Sequence, residues 1–260
     1  LKELEIIEPE HHPKFKDFYH QFFEDNKRHG VNISMALESM SQTNYFGAMM
    51  AKEGLVDVVM SGPSLTYPEC FRPINKIIGT TSTTKASGIY ILIFKEKILF
   101  LTDCTAQISP SSEDLADIAH SAAELYQKLI GSGPQIAFLS YSSFGSNRAA
   151  KTMRNAVKVA KEKYPELKCD GEMQADVATN KFIMNNLYPF SNLEKSADIL
   201  VFPDLNSANI SYKLLTQLSD TVAIGPVLVP MNNCVNIFAR TASVSEIKNM
   251  TIITSVLSKR

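Results

Sequence analysis

A mainly parallel α/β fold is predicted by three features of this 260-residue chain. Apolar stretches of strand length alternate with amphipathic stretches of about a dozen residues or more, the spacing that parallel strands need for their crossovers. Several of the apolar stretches end in turns rich in hydroxyl side chains. A hydrophobic content of 45% against 20% charged residues is enough to fill sizeable cores.

The elements follow in order. The pattern Leu4-Glu5-Ile6-Ile7 predicts a short strand, and Phe15, Phe18, Tyr19, Phe22 and Phe23 recur at helical spacing after His11-His12-Pro13. Helical patterns cover residues 34–40 and 44–53, the second ending at Gly54, which suits a left-handed cap. A strand over 57–61 runs into Gly62-Pro63. Two apolar runs within 87–103, separated by Lys95-Glu96-Lys97, read as a hairpin. Ser111-Ser112-Glu113-Asp114 supplies capping hydroxyls and acids for a helix to about residue 130, and Gly131-Ser132-Gly133-Pro134 breaks it. Beyond this come a strand (135–140), helices (149–164 and 172–185), a strand (197–202) and a helix (207–218). Strands over 222–229 and 235–238 and a helix over 243–257 complete the chain.

Composition narrows the partners. With Lys+Arg 26 against Asp+Glu 27, the net charge of -1 provides no overall field that would draw the chain onto nucleic acid or anionic lipid. The apolar run 89–94 falls far short of the roughly 20 residues that span a bilayer, so no membrane role is expected. Cys70, Cys104, Cys169 and Cys234 lack metal-ligand spacing and fit thiols in a reducing cytoplasm. The five histidines, His11, His12, His20, His29 and His120, include no HExxH pair, and no metal site is expected. A start at Leu1 without a signal pattern suggests a piece of a longer protein.

Three junctions between strand and helix carry the chemistry, because ligands of open α/β sheets sit beyond strand carboxyl ends, where helix N-termini favour anions. The first is the run Leu139-Ser140-Tyr141-Ser142-Ser143-Phe144-Gly145-Ser146-Asn147, in which Ser140, Ser142, Gly145 and Ser146 are candidate ligand contacts; an ordinary Ser-rich cap is the alternative. In the second, Phe202 to Lys213, burial of Ile210, Leu214, Leu215 and Leu218 would leave Asn209, Tyr212 and Lys213 near the first turn to meet a ligand. Capping by Asn206 or Ser207 with a solvated Lys213 is the competing account. The third contains Ala239, Arg240 and a Ser243-x-x-Glu246 capping box, which gives Glu246 a structural job while Arg240 suits phosphate or a thioester carbonyl.

Five blocks in order resemble the signatures of phosphate acetyl/butyryltransferases (phosphotransacetylases): residues 140–146, Asp170-Gly171-Glu172-Met173-Gln174-Ala175-Asp176, Phe202-Pro203-Asp204-Leu205-Asn206, Asn209-Ile210-Ser211-Tyr212-Lys213 and Ala223-Ile224-Gly225-Pro226. Met173, the segment Pro9 to Phe18, Asn249-Met250 and the stretch around Phe190-Ser191 are more similar to the copy fused at the C-terminus of bacterial NADP-dependent malic enzymes. The resemblance implies a two-lobed fold like that of isocitrate and isopropylmalate dehydrogenases, with mainly parallel sheets and a cleft between the lobes. It divides the chain into a first lobe (1–94 plus 228–260), lacking the family's opening strand-helix unit with its Pro-Glu-Gly motif, and a second lobe (95–227).

The same resemblance assigns roles. Active members carry a Ser-Arg pair that steadies the developing charge and, six residues after the Arg, an Asp that takes the CoA thiol proton; here those positions are Ala239, Arg240 and Glu246. Arg72, in Cys70-Phe71-Arg72-Pro73, matches the family's other substrate arginine. Anion-binding groups are therefore kept while the transfer groups are changed. The implied role is a regulatory domain that binds acetyl-CoA as an allosteric effector and is inactive as a transferase, needing no cofactor of its own. Oxidative decarboxylation of malate, with NADP and a divalent metal, would belong to the fused malic domain. The alternatives are an active phosphate acetyltransferase and an oligomerisation module with a vestigial cleft. Acetyl-CoA or acetyl phosphate is the expected ligand, and a homodimer or higher homo-oligomer the expected assembly, with Ile199, Leu200, Ile224 and Val227 as candidate interface residues.

Overall fold

Phe15, Phe18 and Phe22 line one face of the first helix, α1 (Phe15–Asn26), in the computed structural model, which describes residues 4–62, 64–81, 84–145 and 148–258. Phe18 and Phe22 are buried, meeting Phe46 at 5.2 Å and Tyr45 edge-on at 5.7 Å. Helix α2 (Ile33–Met40) is capped by Asn32, whose side chain accepts from the Met35 amide at 2.8 Å. After α3 (Thr43–Lys52) come strand β1 (Val58–Ser61) and α4 (Tyr67–Ile77). The chain then forms β2 (Ser87–Ile93), β3 (Ile98–Thr102), α5 (Ser112–Ile130), β4 (Gln135–Leu139), α6 (Lys151–Lys163) and β5 (Lys168–Met173). It continues through α7 (Ala175–Thr179), α8 (Lys181–Leu187), β6 (Ile199–Val201), α9 (Leu205–Leu218), β7 (Val222–Val229), β8 (Cys234–Ile237) and α10 (Val244–Ser258).

These elements gather into two units. The first holds the residues up to Gly79, Met231–Ala242 and the chain from Thr254 onward. Within it β1 runs parallel to β8, Val58 opposite Cys234 through Ser61 opposite Ile237. Buried Asn236 donates to the Thr254 hydroxyl at 2.7 Å, which satisfies both polar groups in an otherwise apolar setting. The second unit, Thr80–Pro230 with Ser243–Ile253, has strand order β7-β2-β3-β6-β4-β5. Strand β2 is antiparallel to both β7 and β3, and the pairs β3–β6, β6–β4 and β4–β5 are parallel. The α/β class with mainly parallel strands is thus observed. The first unit ends at Gly79, ahead of the boundary after residue 94 read from sequence, because β2 is paired on both sides by strands of the second unit.

Other expectations need correction. Residues 4–7 form no strand; Leu4 and Ile6 are exposed and nothing pairs with them among the described residues. The helix expected over 172–185 begins instead with the end of β5, followed by two short helices. Asp170 and Glu172 mask a strand by their polarity, and tertiary partners satisfy both. Asp170 accepts from the Asn192 amide at 2.7 Å and the Ser191 hydroxyl at 3.0 Å, and Glu172 pairs with Arg154. Gly171, at φ 137°, lies where a Cβ would fall 2.6 Å from the Phe138 carbonyl oxygen, so this strand passes its neighbour only with glycine there. Helix α4 was not anticipated in a segment with Pro68 and Pro73, yet Thr66 and Glu69 form a capping box at its start.

Helix α9 turns opposite to expectation. Its N-cap is Asp204, accepting from the Ser207 amide at 2.8 Å, and its only buried residue is Ala208. Tyr212 stacks on Tyr90 at 4.0 Å, and Asn209 donates to the Cys104 carbonyl at 3.1 Å. Small Ala208 permits that close approach, so Ile210, Leu214, Leu215 and Leu218 point away and are exposed. Ile199, Leu200, Ile224 and Val227 are buried strand residues of the core rather than interface residues. No helix among the described residues is long and apolar enough to cross a membrane.

The start of α5 yields a pH prediction. Burial opposes ionisation of Asp114, but Lys85 Nζ at 2.8 Å and the Ser111 amide at 3.0 Å outweigh it, holding the carboxyl below its ordinary range. A depressed folded pKa contributes stability above the unfolded value of about 3.9, and that contribution is lost as pH falls through the folded value. Asp114→Asn should cost about 1 kcal/mol at pH 7, the usual worth of a cap, and flatten the acid limb of the stability curve. Urea melts between neutral pH and pH 3 measure both; an unchanged acid limb would remove this role for Asp114.

Candidate functional site

The capping box that starts α4 arranges the chemistry of the first unit. Glu69 accepts from the Thr66 amide at 2.7 Å and the Thr66 hydroxyl at 2.5 Å. Those hydrogen bonds hold its carboxyl below the ordinary range, and the positive charge of Arg240 adds to the effect. Arg72 lies three residues on, on the same helix face as Glu69. Both line a cavity of about 340 Å³ whose wall also includes Gln42, Thr43, Asn44 and Tyr45. That wall is the start of α3, where Gln42 makes no side-chain cap, Asn44 Oδ1 accepts from the Tyr45 amide at 3.0 Å, and the positive end of the helix dipole favours anions. Asn44 fixes the two helices to each other by donating to the Glu69 carbonyl at 2.8 Å. Arg240 follows β8 in an exposed turn closed by the Ala242 amide on the Ala239 carbonyl at 3.0 Å. The first unit thus brings Arg72 and Arg240 to a common neighbour, Glu69. Sequence reasoning found the two arginines but missed Glu69 and the α3 start, although Thr66-x-x-Glu69 was a legible signal.

In the second unit, Ser140 to Gly145 leave β4 as a turn fastened to β5. The Ser140 amide donates to the Met173 carbonyl at 2.9 Å, Phe144 to the Glu172 carbonyl at 2.8 Å, and the Gln174 amide to the Ser143 hydroxyl at 2.9 Å. The Gly145 amide reaches Glu172 Oε1 at 3.0 Å. Ser142 Oγ is buried without a partner among the described residues, so this expected ligand contact has unused hydrogen-bonding capacity. Ser146, also expected in the site, lies outside the described residues, as does Asn147. The second expected group separates: Asn209 and Tyr212 are occupied with Cys104 and Tyr90, and only Lys213 is exposed, its Nζ 5.4 Å from the centre of the Tyr212 ring.

Glu246 begins α10 in the cap that its sequence foretold. Its Oε2 accepts from the Ser243 amide at 2.6 Å while the Ser243 hydroxyl accepts from the Glu246 amide at 3.2 Å. One carboxylate oxygen is therefore engaged by the backbone cap. Ala239 is exposed and carries no hydroxyl. Among the described residues no group of three or more His, Cys, Asp or Glu side chains is arranged to hold a metal ion.

Comparison with known proteins places this geometry. The family model described as phosphate acetyl/butaryl transferase matches residues 1–255. The chain is 34% identical to the phosphate acetyltransferase of Clostridium acetobutylicum, over 100% of the chain and 81% of that protein. It is equally 34% identical to the NADP-dependent malic enzyme of Escherichia coli, over 98% of the chain but only 34% of that enzyme. Against the phosphate acetyltransferase of Nitratidesulfovibrio vulgaris it likewise spans 36% of the relative's length. The crystal structure of a phosphotransacetylase from Streptococcus pyogenes superposes with a TM-score of 0.90 at 32% identity, covering 96% of this chain and 77% of that one. A match along nearly the whole chain, in sequence and in fold, makes this protein a member of the phosphate acetyl/butaryl transferase family.

Proposed function

We propose that this chain is an acetyl-CoA-binding regulatory module that no longer transfers the acetyl group and belongs to an NADP-dependent malic enzyme. The observation that carries this reading is the pair of changes at the transfer positions: Ala239 offers no hydroxyl, and the Glu246 carboxylate is committed to its helix cap at 2.6 Å. The Ser243 amide holds Oε2 and with it the orientation of the Glu246 side chain, so swinging the carboxylate toward a thiol gives up a cap worth about 0.5–2 kcal/mol. A general base contributes about 10²–10⁴-fold and one oxyanion donor about 10²–10³-fold, so losing both removes roughly 10⁴–10⁷. The binding side is retained. Arg72 and Arg240 offer planar guanidinium groups suited to bidentate contact with phosphate or carbonyl oxygens. Acetyl phosphate shares that chemistry and is the competing ligand. In the second unit, Ser140, Ser142, Gly145 and Lys213 are the proposed ligand contacts. In this reading NADP and a divalent metal serve malate oxidation in the malic part of the protein.

The rival, a working phosphate acetyltransferase, is equally close in sequence, and turnover separates the two. CoA release from acetyl-CoA and phosphate, followed with a thiol reagent, should stay at background; about 1 s⁻¹ or more, within the usual enzyme range, would overturn the regulatory reading. Acetyl-CoA should nonetheless bind. Arg240→Ala should weaken it by about 10- to 150-fold, the worth of a charge-assisted contact of about 1.5–3 kcal/mol, and Lys213→Ala by less. Calorimetric titration of both variants decides this, and unchanged affinity in Arg240→Ala places the ligand elsewhere.

Assembly is the third part of the proposal. The outward stripe of α9, with Ile210 57%, Leu214 53% and Leu218 81% exposed, supports a homodimer formed through the second unit. Obligate interfaces bury on the order of 2,000 Å² or more and persist at micromolar concentration. Light scattering should report a dimer there, and Leu214→Glu with Leu218→Glu should give monomers. A monomeric wild-type protein would retire both this claim and the oligomerisation-module alternative, whereas an oligomer that binds no acetyl-CoA would favour that alternative.

A further inference from the structure

We propose that Arg154 and Glu172 are positioning residues that lock the turn of residues 140–145 in its ligand-receiving shape, so that ligand affinity in the second unit depends on a pair that does not touch the ligand. The proposal rests on the acetyl-CoA reading above for its ligand, and on geometry for its mechanism. Glu172 is fully buried in β5. Its Oε1 receives the Gly145 amide at 3.0 Å and Arg154 Nη1 at 3.1 Å, and the same Nη1 donates to the Gly145 carbonyl at 2.8 Å. One residue of the turn is therefore gripped by both of its backbone groups. The neighbouring Phe144 is held at φ 50°, a left-handed conformation disfavoured for a side chain of its size, which persists only where surroundings impose it.

Simple stabilisation accounts poorly for this pair. Glu172 is fully buried and Arg154 half-buried; an ion pair with a buried member is usually no better for stability than apolar side chains of similar volume, because desolvation offsets the attraction, whereas its fixed geometry suits setting a register. Glu172 Oε2 and, within the turn, the Ser142 hydroxyl oxygen are buried without a hydrogen-bond partner among the described residues. A turn braced at this cost, with unused polar groups and an unfavourable backbone angle, is built to hold a shape rather than to fill a core.

Stability and positioning part company in a double variant. Arg154→Met alone leaves a buried carboxylate without its cation and should lower the melting temperature sharply. Arg154→Met with Glu172→Gln removes both charges, and its melting temperature should return close to that of the wild type. In that double variant the amides of residues 144 and 145 should nevertheless exchange with deuterium about tenfold faster or more. Acetyl-CoA affinity should fall by the same factor, since a turn competent one time in ten binds tenfold more weakly. A double variant with wild-type exchange at the turn overturns the proposal, as does one with faster exchange and wild-type affinity. If the wild type binds no acetyl-CoA, the ligand reading fails by itself, and exchange at the turn alone upholds or overturns the lock.

Discussion

Side-chain carboxylates in or beside strands are the interaction on which the second unit depends, because loop N–H groups have no ladder partners of their own. Asp103, at the end of β3, accepts from the amides of Gly88, Thr105, Ala106 and Gln107 at 2.7–3.1 Å. Burial pushes its carboxyl up, and the four amides pull against that. Asp198 takes the Gln135 amide at 2.7 Å at the start of β4, and Asp170 takes the Asn192 amide. Glu172 does the same for Gly145. Each acid spends desolvation energy to fix a loop that apolar packing alone leaves loose.

The first unit solves a related problem differently. Its polar chemistry gathers around helix starts, where Glu69 closes the α4 cap and the uncapped start of α3 faces Arg72 across a cavity. Glu69, held by the Thr66 amide and hydroxyl, shares the cavity lining with Arg72 and feels the positive charge of Arg240. At the start of α10 the same device recurs. There Glu246 Oε2 accepts from the Ser243 amide at 2.6 Å and the Ser243 hydroxyl accepts from the Glu246 amide at 3.2 Å, closing the helix end.

Much of the architecture was legible in single residues. Ser111 with Asp114 and Ser243 with Glu246 announced their helices, since a hydroxyl followed by an acid three residues later satisfies two end amides at once. The β2–β3 hairpin was read from two apolar runs around three charges. Thr66 with Glu69 carried the same signal and was obscured by Pro68 and Pro73. Strand β5 was hidden because Asp170 and Glu172 break the apolar pattern of a strand, and nothing local shows that Lys161, Ser191 and Arg154 will satisfy them.

By itself the sequence determined the α/β class, the β2–β3 hairpin and the capping boxes at Ser111 and Ser243, because these depend on neighbours within a few positions. Only the tertiary structure decided which way the elements face and which polar groups meet. The apolar spacing of Ile210, Leu214 and Leu218 is equally good for a core face or an outer stripe; the choice fell to Ala208 and Tyr212, whose size and ring fit against Tyr90. Likewise Gly145, Arg154 and Glu172 are distant in the chain, and their meeting follows from the parallel pairing of β4 with β5 and the packing of α6 on both. Periodicity fixes that a face is apolar, while the shape of what packs against a helix fixes which face is buried.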